Sequence, residues 1–202
     1  MNRNSARWKL LLVLFVCASP LIFSYLAYYV IKPTGRTNYG ALIDPRAYPI
    51  PPMASTALDG KPQGLDAWKG KWIMLKVGAS DCAQACREQL FAMRQLRLMQ
   101  GKDMERIERV WLVTDAEPLS TLVMRESDGT RLLRAPADAV AKWLPVDAGD
   151  RQDSHIYLID PLGNLMMRFP ALPPNPSDEA RREHHNKIKK DLAKLLKASA
   201  IG

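Results

Sequence analysis

Cys82 and Cys86 are the residues of this chain whose type and spacing best suit chemistry. They stand in the run Ser80-Asp81-Cys82-Ala83-Gln84-Ala85-Cys86-Arg87, after the apolar stretch Trp72–Val77 and at the start of a helical pattern. Side chains four apart share one face of a helical turn. Two thiols so placed can close a strained disulfide or hold one soft metal ion. At a helix N-terminus the free amides and the dipole favour a thiolate, Cys82 more than Cys86, while the neighbouring Asp81 opposes it. The i to i+4 separation is near the long end of disulfide geometry, so some unwinding before Cys86 is expected. So short a disulfide loop contributes little through chain entropy, which argues for redox exchange or metal binding over a purely structural bridge. Of the three cysteines the remaining one, Cys17, reads as a small apolar filler in a hydrophobic stretch.

The elements that must position the pair alternate along the chain. Trp72–Val77 has the length and character of a buried strand, entered from the Lys69-Gly70-Lys71 turn. The spacing of Leu90, Phe91, Leu96 and Met99 predicts a helix over 83–100, stopped at Gly101. Strands are expected over 110–113, 156–159 and 165–169, with a minor one at Leu132-Leu133. Short helices are expected over 118–125 and 137–144. The run Asp160-Pro161-Leu162-Gly163-Asn164 is hairpin chemistry. Ser177, followed by Asp178 and Glu179, caps a final helix rich in lysine toward its end. Trp68, Trp72, Trp111 and Trp143 read as core or core-edge aromatics. His184 and His185 fall in a charged stretch that reads as a solvated helix face. One mixed sheet with helices on both faces satisfies this order.

Upstream, residues 10–31 form a 22-residue stretch without a charged side chain. At about 1.5 Å of rise per residue it spans a hydrocarbon core about 30 Å thick. Arg3, Arg7 and Lys9 precede it with no acid among residues 1–9, which predicts a cytoplasmic N-terminus. A cleaved signal peptide is the rival; the length of the run and its Tyr-rich end favour an uncleaved anchor. Residues 32–53, with five prolines and two glycines, read as an extended linker, and 54–202 as the folded domain. The net charge is +8, and taking away the three basic residues before the anchor leaves +5. A mildly basic tethered domain needs no nucleic acid to explain it; it favours acidic partners or anionic lipid. The sequence carries no phosphate-binding loop and no catalytic-triad motif.

The order of elements, with a cysteine pair at the exit of the first long strand, resembles the thioredoxin fold. The closer resemblance is to the Sco/SenC proteins, membrane-tethered copper chaperones for cytochrome oxidase. Leu58-x-Gly60 with Gly70-Lys71-Trp72, Val77-Gly78-x-x-x-Cys82-x-x-x-Cys86, Thr114-Asp115-x-x-Pro118 and Tyr157-Leu158-Ile159-Asp160-Pro161-x-Gly163 carry it, in that order. The chain departs from the family pattern in two ways. Ala83 and Arg87 stand where prolines follow the cysteines. Gln152 stands where the copper-binding histidine is expected, and His155 is the nearest histidine.

The resemblance implies a divergent, periplasm-facing thioredoxin-like protein that assists cytochrome oxidase assembly, through copper delivery or thiol reduction at the oxidase copper centre. Its expected partners are an oxidase subunit or other assembly factors, at the inner membrane. Cys82 is then the attacking thiolate or first copper ligand, Cys86 the resolving thiol or second ligand, and His155 a provisional third ligand; two thiolates and one imidazole suit Cu(I). Zinc would want four ligands, and no second cysteine pair exists. A metal-free thiol-disulfide oxidoreductase and a non-catalytic oxidase accessory protein are the alternatives.

Overall fold

The structure, a computed structural model, describes residues 3–31 and 38–199. It forms two compact units that divide between Thr37 and Asn38. In the first, helix α1 (Arg3–Leu26) contains Pro20 and continues as a π-helical turn over Ala27–Ile31. The segment Arg7–Val30 is long and apolar enough to cross a membrane, by length and composition.

In the second unit, seven strands build one mixed sheet: β1 (Ala41–Leu42), β2 (Thr56–Ala57), β3 (Trp72–Gly78), β4 (Ile107–Val113), β5 (Arg131–Arg134), β6 (Ile156–Ile159) and β7 (Leu165–Phe169). Their spatial order is β1-β7-β6-β3-β4-β5-β2. The three strands β3, β4 and β5 run parallel; β6 lies antiparallel to β3, and the β6–β7 hairpin is closed by Asp160–Asn164. Helices α2 (Gln84–Leu98), α3 (Thr121–Glu126), α4 (Ala137–Trp143) and α5 (Asp178–Ala198) cover the sheet.

Both faces of the central strands are covered, so β3 and β4 read as near-continuous apolar runs rather than as alternation. Ile73, Leu75 and Val77 of β3 pack with Val140 and Trp143 of α4. Trp72 and Met74 point the other way, toward Met93 and Leu96 of α2 and Ile188, Leu192 and Leu196 of α5. A third cluster gathers Cys82, Leu90, Trp111, Val113, Leu119 and Val123 where α2 and α3 meet β4. Trp72, Trp111 and Trp143 are buried and Trp68 is half-buried against the core, as expected.

The element boundaries match the sequence pattern within a few residues, and β6 and β7 coincide with it. The stretch expected as linker differs. Residues 32–37 lie outside the described residues, but from Asn38 the chain lies within the globular unit. Ala41–Leu42 adds an edge strand to β7, and Ile43, Tyr48, Ile50 and Met53 pack on the core. Their burial is one side chain at a time between prolines, so no helical or strand period announces it.

Helix α5 buries His184, Ile188, Asp191, Leu192 and Leu196 along one stripe. The two polar members receive partners from the start of the unit. Asp191 accepts hydrogen bonds from the backbone N–H of Tyr39 (2.6 Å) and Gly40 (3.0 Å), and the Tyr39 hydroxyl lies 2.7 Å from His184 Nδ1. A Cβ at Gly40 would fall 2.4 Å from Met167 Sδ, so glycine is what lets the backbone approach β7 this closely. The solvated-face reading therefore fails for His184, because the residues that bury it lie about 145 positions away in the chain.

Candidate redox site

Strand β3 ends at Gly78, and the chain turns through Ala79–Ala83 into α2. The turn is pinned from β4's end: Thr114 N–H donates to the Gly78 carbonyl (3.1 Å), and Asp115 Oδ2 accepts from both the Ser80 N–H (2.9 Å) and the Ser80 hydroxyl (3.1 Å). Arg134 of β5 in turn donates to the Asp115 carbonyl. Cys82 and Cys86 form a disulfide across this junction, with Cα atoms 5.2 Å apart.

The helix begins at Gln84 with Ala83 as N-cap. Cys82 thus precedes the helix, and Cys86 occupies its first turn. Keeping Cys82 outside regular helix is how the chain brings an i, i+4 pair within bonding reach. Burial also separates the two. Cys82 is 8% exposed and packs among Leu90, Trp111 and Val123, whereas Cys86 is half-buried at the edge of that cluster. A thiolate at Cys86 sits beside unpaired first-turn amides, and one at Cys82 faces apolar surroundings. Cys86 is thus the more exposed residue of the pair.

The disulfide forms part of the wall of a cavity of about 980 Å³. Phe169 and residues of the Pro170–Pro176 loop also line it, with Arg181, His184 and His185 of α5. Arg181 pairs with Glu88 of α2, and Arg151 pairs with Asp153, so much of the charge on the rim is compensated in place. Phe91 also lines the cavity and, at 60% exposed, adds apolar surface to it.

The inner wall holds a residue that sequence reading passed over. Lys76, in the middle of β3, is 1% exposed. Its ammonium donates to Gln89 Oε1 (2.5 Å) and to the Asp153 carbonyl (3.1 Å), and Gln89 Nε2 donates to the Ser154 carbonyl (2.6 Å). These bonds tie the turn before β6 to α2 and β3. Burial pushes the Lys76 ammonium down to about 8, against the opposing pull of the Asp153 charge. The available signal was a lone lysine inside a strand that otherwise reads as fully apolar.

His155 and Gln152 are placed elsewhere. His155 is 2% exposed; its Nδ1 donates to the Phe169 carbonyl (2.8 Å), and its Nε2 lies 2.8 Å from Asp150 Oδ2. The Nε2 contact is at ion-pair distance without hydrogen-bond alignment. Both ring nitrogens thus face oxygen acceptors, and His155 is not among the residues lining the disulfide's cavity. The Gln152 side-chain amide donates to the carbonyls of Ala141 (3.1 Å) and Leu144 (2.6 Å) and so caps the end of α4. Among the described residues, no group of three or more His, Cys, Asp or Glu side chains is arranged to hold a metal ion.

His184 carries a pH dependence. Burial, with His185 and Lys187 adding to it, pushes its imidazole down to about 4. Burial likewise raises the Tyr39 hydroxyl, which stays protonated and donates to the neutral ring. An imidazole with a depressed folded value contributes stability above its unfolded value near 6.5 and loses it as pH falls toward 4. The wild-type protein is expected to lose about 2 kcal/mol between pH 7 and pH 4.5 through this group. His184→Gln is expected to lose correspondingly less on that acid limb, read from urea midpoints; equal losses would assign the acid sensitivity to other groups.

A family described as transmembrane-like, thioredoxin-like, C-terminal domain matches this sequence over residues 72–199. The chain belongs to that family. The matched segment runs from β3 through α5 and so contains the disulfide, the cavity and Lys76. No curated protein matches the sequence. Among solved structures, yeast Sco1 with copper bound is similar at a TM-score of 0.51 and 15% identity, over 82% of this chain and 97% of that one. Apo Sco1 from Thermus thermophilus is similar at a TM-score of 0.50 and 17% identity, over 82% and 98%. At these identities the likeness is one of fold. The family and the fold agree with the thioredoxin-like architecture drawn from the sequence.

Proposed function

We propose that this protein is a membrane-anchored thiol-disulfide exchange factor whose Cys82–Cys86 pair serves cysteines of cytochrome oxidase during assembly of its copper centre. The observation that carries the redox reading is the disulfide itself, set in a cavity wall at a strand-helix junction. The oxidase target comes from the resemblance to Sco/SenC proteins. By the positive-inside tendency the N-terminus is cytoplasmic and the exchange domain faces the periplasm, an environment that permits disulfides.

The chemistry is two sequential displacements. A thiolate attacks Cys86 Sγ and forms a mixed disulfide; the Cys82–Cys86 bond breaks and its electron pair stays on Cys82 Sγ. A second thiolate then displaces Cys86. Two thiols become one disulfide, and the pair takes up two electrons and two protons. Run in reverse, the reduced pair reduces a target disulfide.

Copper delivery fits this chain less well. Reduction frees two sulfur ligands, but His155 is held by Phe169 and Asp150, and Gln152 caps α4. Copper as transient cargo would therefore rest on the two cysteines without that imidazole.

In cells lacking this protein, the full-length wild type is expected to restore oxidase activity and Cys82→Ser/Cys86→Ser is not. Unchanged oxidase activity with both serines would make the fold a non-catalytic accessory module. Titration of the reduced full-length protein with Cu(I) separates the cargo reading. Binding no better than by the double-serine protein leaves exchange as the function.

A further inference from the structure

Lys76 is a buried cation on the cavity wall for which exchange chemistry as described above has no use. Its Nζ is held by a side-chain amide oxygen and a main-chain carbonyl; among the described residues no carboxylate is in ion-pair contact with it, and the charge of nearby Asp153, engaged by Arg151, offsets only part of the burial. An ammonium inside a sheet is costly unless a negative charge arrives to match it. The other charged groups on the cavity wall mostly have partners. Arg151 binds Asp153, Arg181 binds Glu88, and Asp81 is exposed to solvent. On α5, His184 is occupied by Tyr39 and His185 lies beside Arg181.

The disulfide on the same wall is neutral when closed and releases a thiolate when opened. Cys82, the sulfur left behind when Cys86 is attacked, packs against Trp111, whose β4 position is in register with Lys76 on β3. Gln89, the residue that holds the ammonium, is one helical turn beyond Cys86.

We propose that Lys76 is the counter-charge of the cysteine pair, an ammonium stored at the inner wall of the cavity that stabilises the thiolate released on reduction of Cys82–Cys86. Lys76 acts through the field it places across the cavity and is a positioning residue. It favours the reduced form and makes the pair easier to reduce. Burial, which holds the amine near 8 while the disulfide is closed, also makes it responsive, because a thiolate nearby draws its proton on more firmly. The coupling is reciprocal: whatever the ammonium does to the thiol titration, the thiolate does to the amine.

The inference rests on the pair being redox-active, and dithiothreitol as reductant makes its test independent of any protein partner. In the full-length protein in detergent micelles, the Lys76 Cε resonance is followed through pH in the oxidised and reduced states. Its midpoint is expected to rise by about one unit on reduction, a tenfold change in proton affinity. An unchanged midpoint overturns the proposal. In parallel, the thiolate absorbance of Lys76→Met is titrated. Its thiol midpoint is expected to rise by about one unit, and its equilibrium with dithiothreitol to shift about tenfold toward the disulfide. A folded variant with wild-type values for both also overturns it. If Lys76→Met does not fold, the wild-type resonance decides alone. A protein that shows the coupling but does not exchange with protein disulfides keeps this inference and sinks the function proposed above.

Discussion

Cys82→Ser is expected to trap target proteins as mixed disulfides, whereas Cys86→Ser traps few, and neither single variant turns over. The reason is the asymmetry of burial across the bridge. Cys86 is half-buried on a cavity wall at the first turn of α2, while Cys82 is 8% exposed within an apolar cluster. A lone Cys86 can be reached by a partner and has no second thiol to release it; a lone Cys82 is shielded. Exchange by either variant should fall to the uncatalysed background, measured with the full-length protein and an oxidised peptide, with trapped species read on non-reducing gels. Trapping by Cys86→Ser alone would restore Cys82 as the attacking thiol, the assignment that the sequence order suggests. The cost in stability is small beside this loss. Closing so short a loop is worth about 2 kcal/mol by chain entropy, so both variants should remain folded.

The largest loss of stability is expected at Trp111. It is fully buried on the central strand β4 and packs with Cys82, Leu90, Leu119 and Val123. Trp111→Ala is expected to cost about 3–5 kcal/mol, the range for deleting a large aromatic from a close-packed core. Among the described residues its indole N–H has no hydrogen-bond partner, so Trp111→Phe deletes no bond found there and leaves a smaller cavity. That variant is expected to cost about 1–2 kcal/mol. Urea unfolding midpoints of the two variants against wild type measure both. Because Trp111 supports Cys82 directly, Trp111→Ala should also make the disulfide more accessible to external thiols. If alanine costs no more than phenylalanine, the cluster does not support the bridge.

How much of this was legible in the sequence depends on how far apart the interacting residues are. The strands of the β6–β7 hairpin and the β3–α2 junction are local patterns. Apolar runs, a turn of Asp, Pro and Gly and a helix start lie within a few residues of one another, so their positions are read directly. The edge strand at Ala41–Leu42 was not legible, because its pairing partner β7 lies far along the chain and its own stretch is broken by prolines. His184 reads as a solvated residue in the sequence for the same reason; Tyr39 engages it from the other end of the domain.

The cysteine pair divides the same way. Residue type and spacing alone determined that two thiols stand four apart at the exit of a buried strand, at the start of a helix, on a chain with one apolar segment of spanning length. Nothing in that spacing could say which sulfur is reachable, because exposure is set by Trp111, Leu119 and Val123, which arrive from β4 and the segment after it. Nor could it say that His155 is committed to Phe169 and Asp150, or that Lys76 shares the disulfide's cavity. Those facts depend on long-range contacts that form only when the sheet assembles, and short-range spacing carries no record of them.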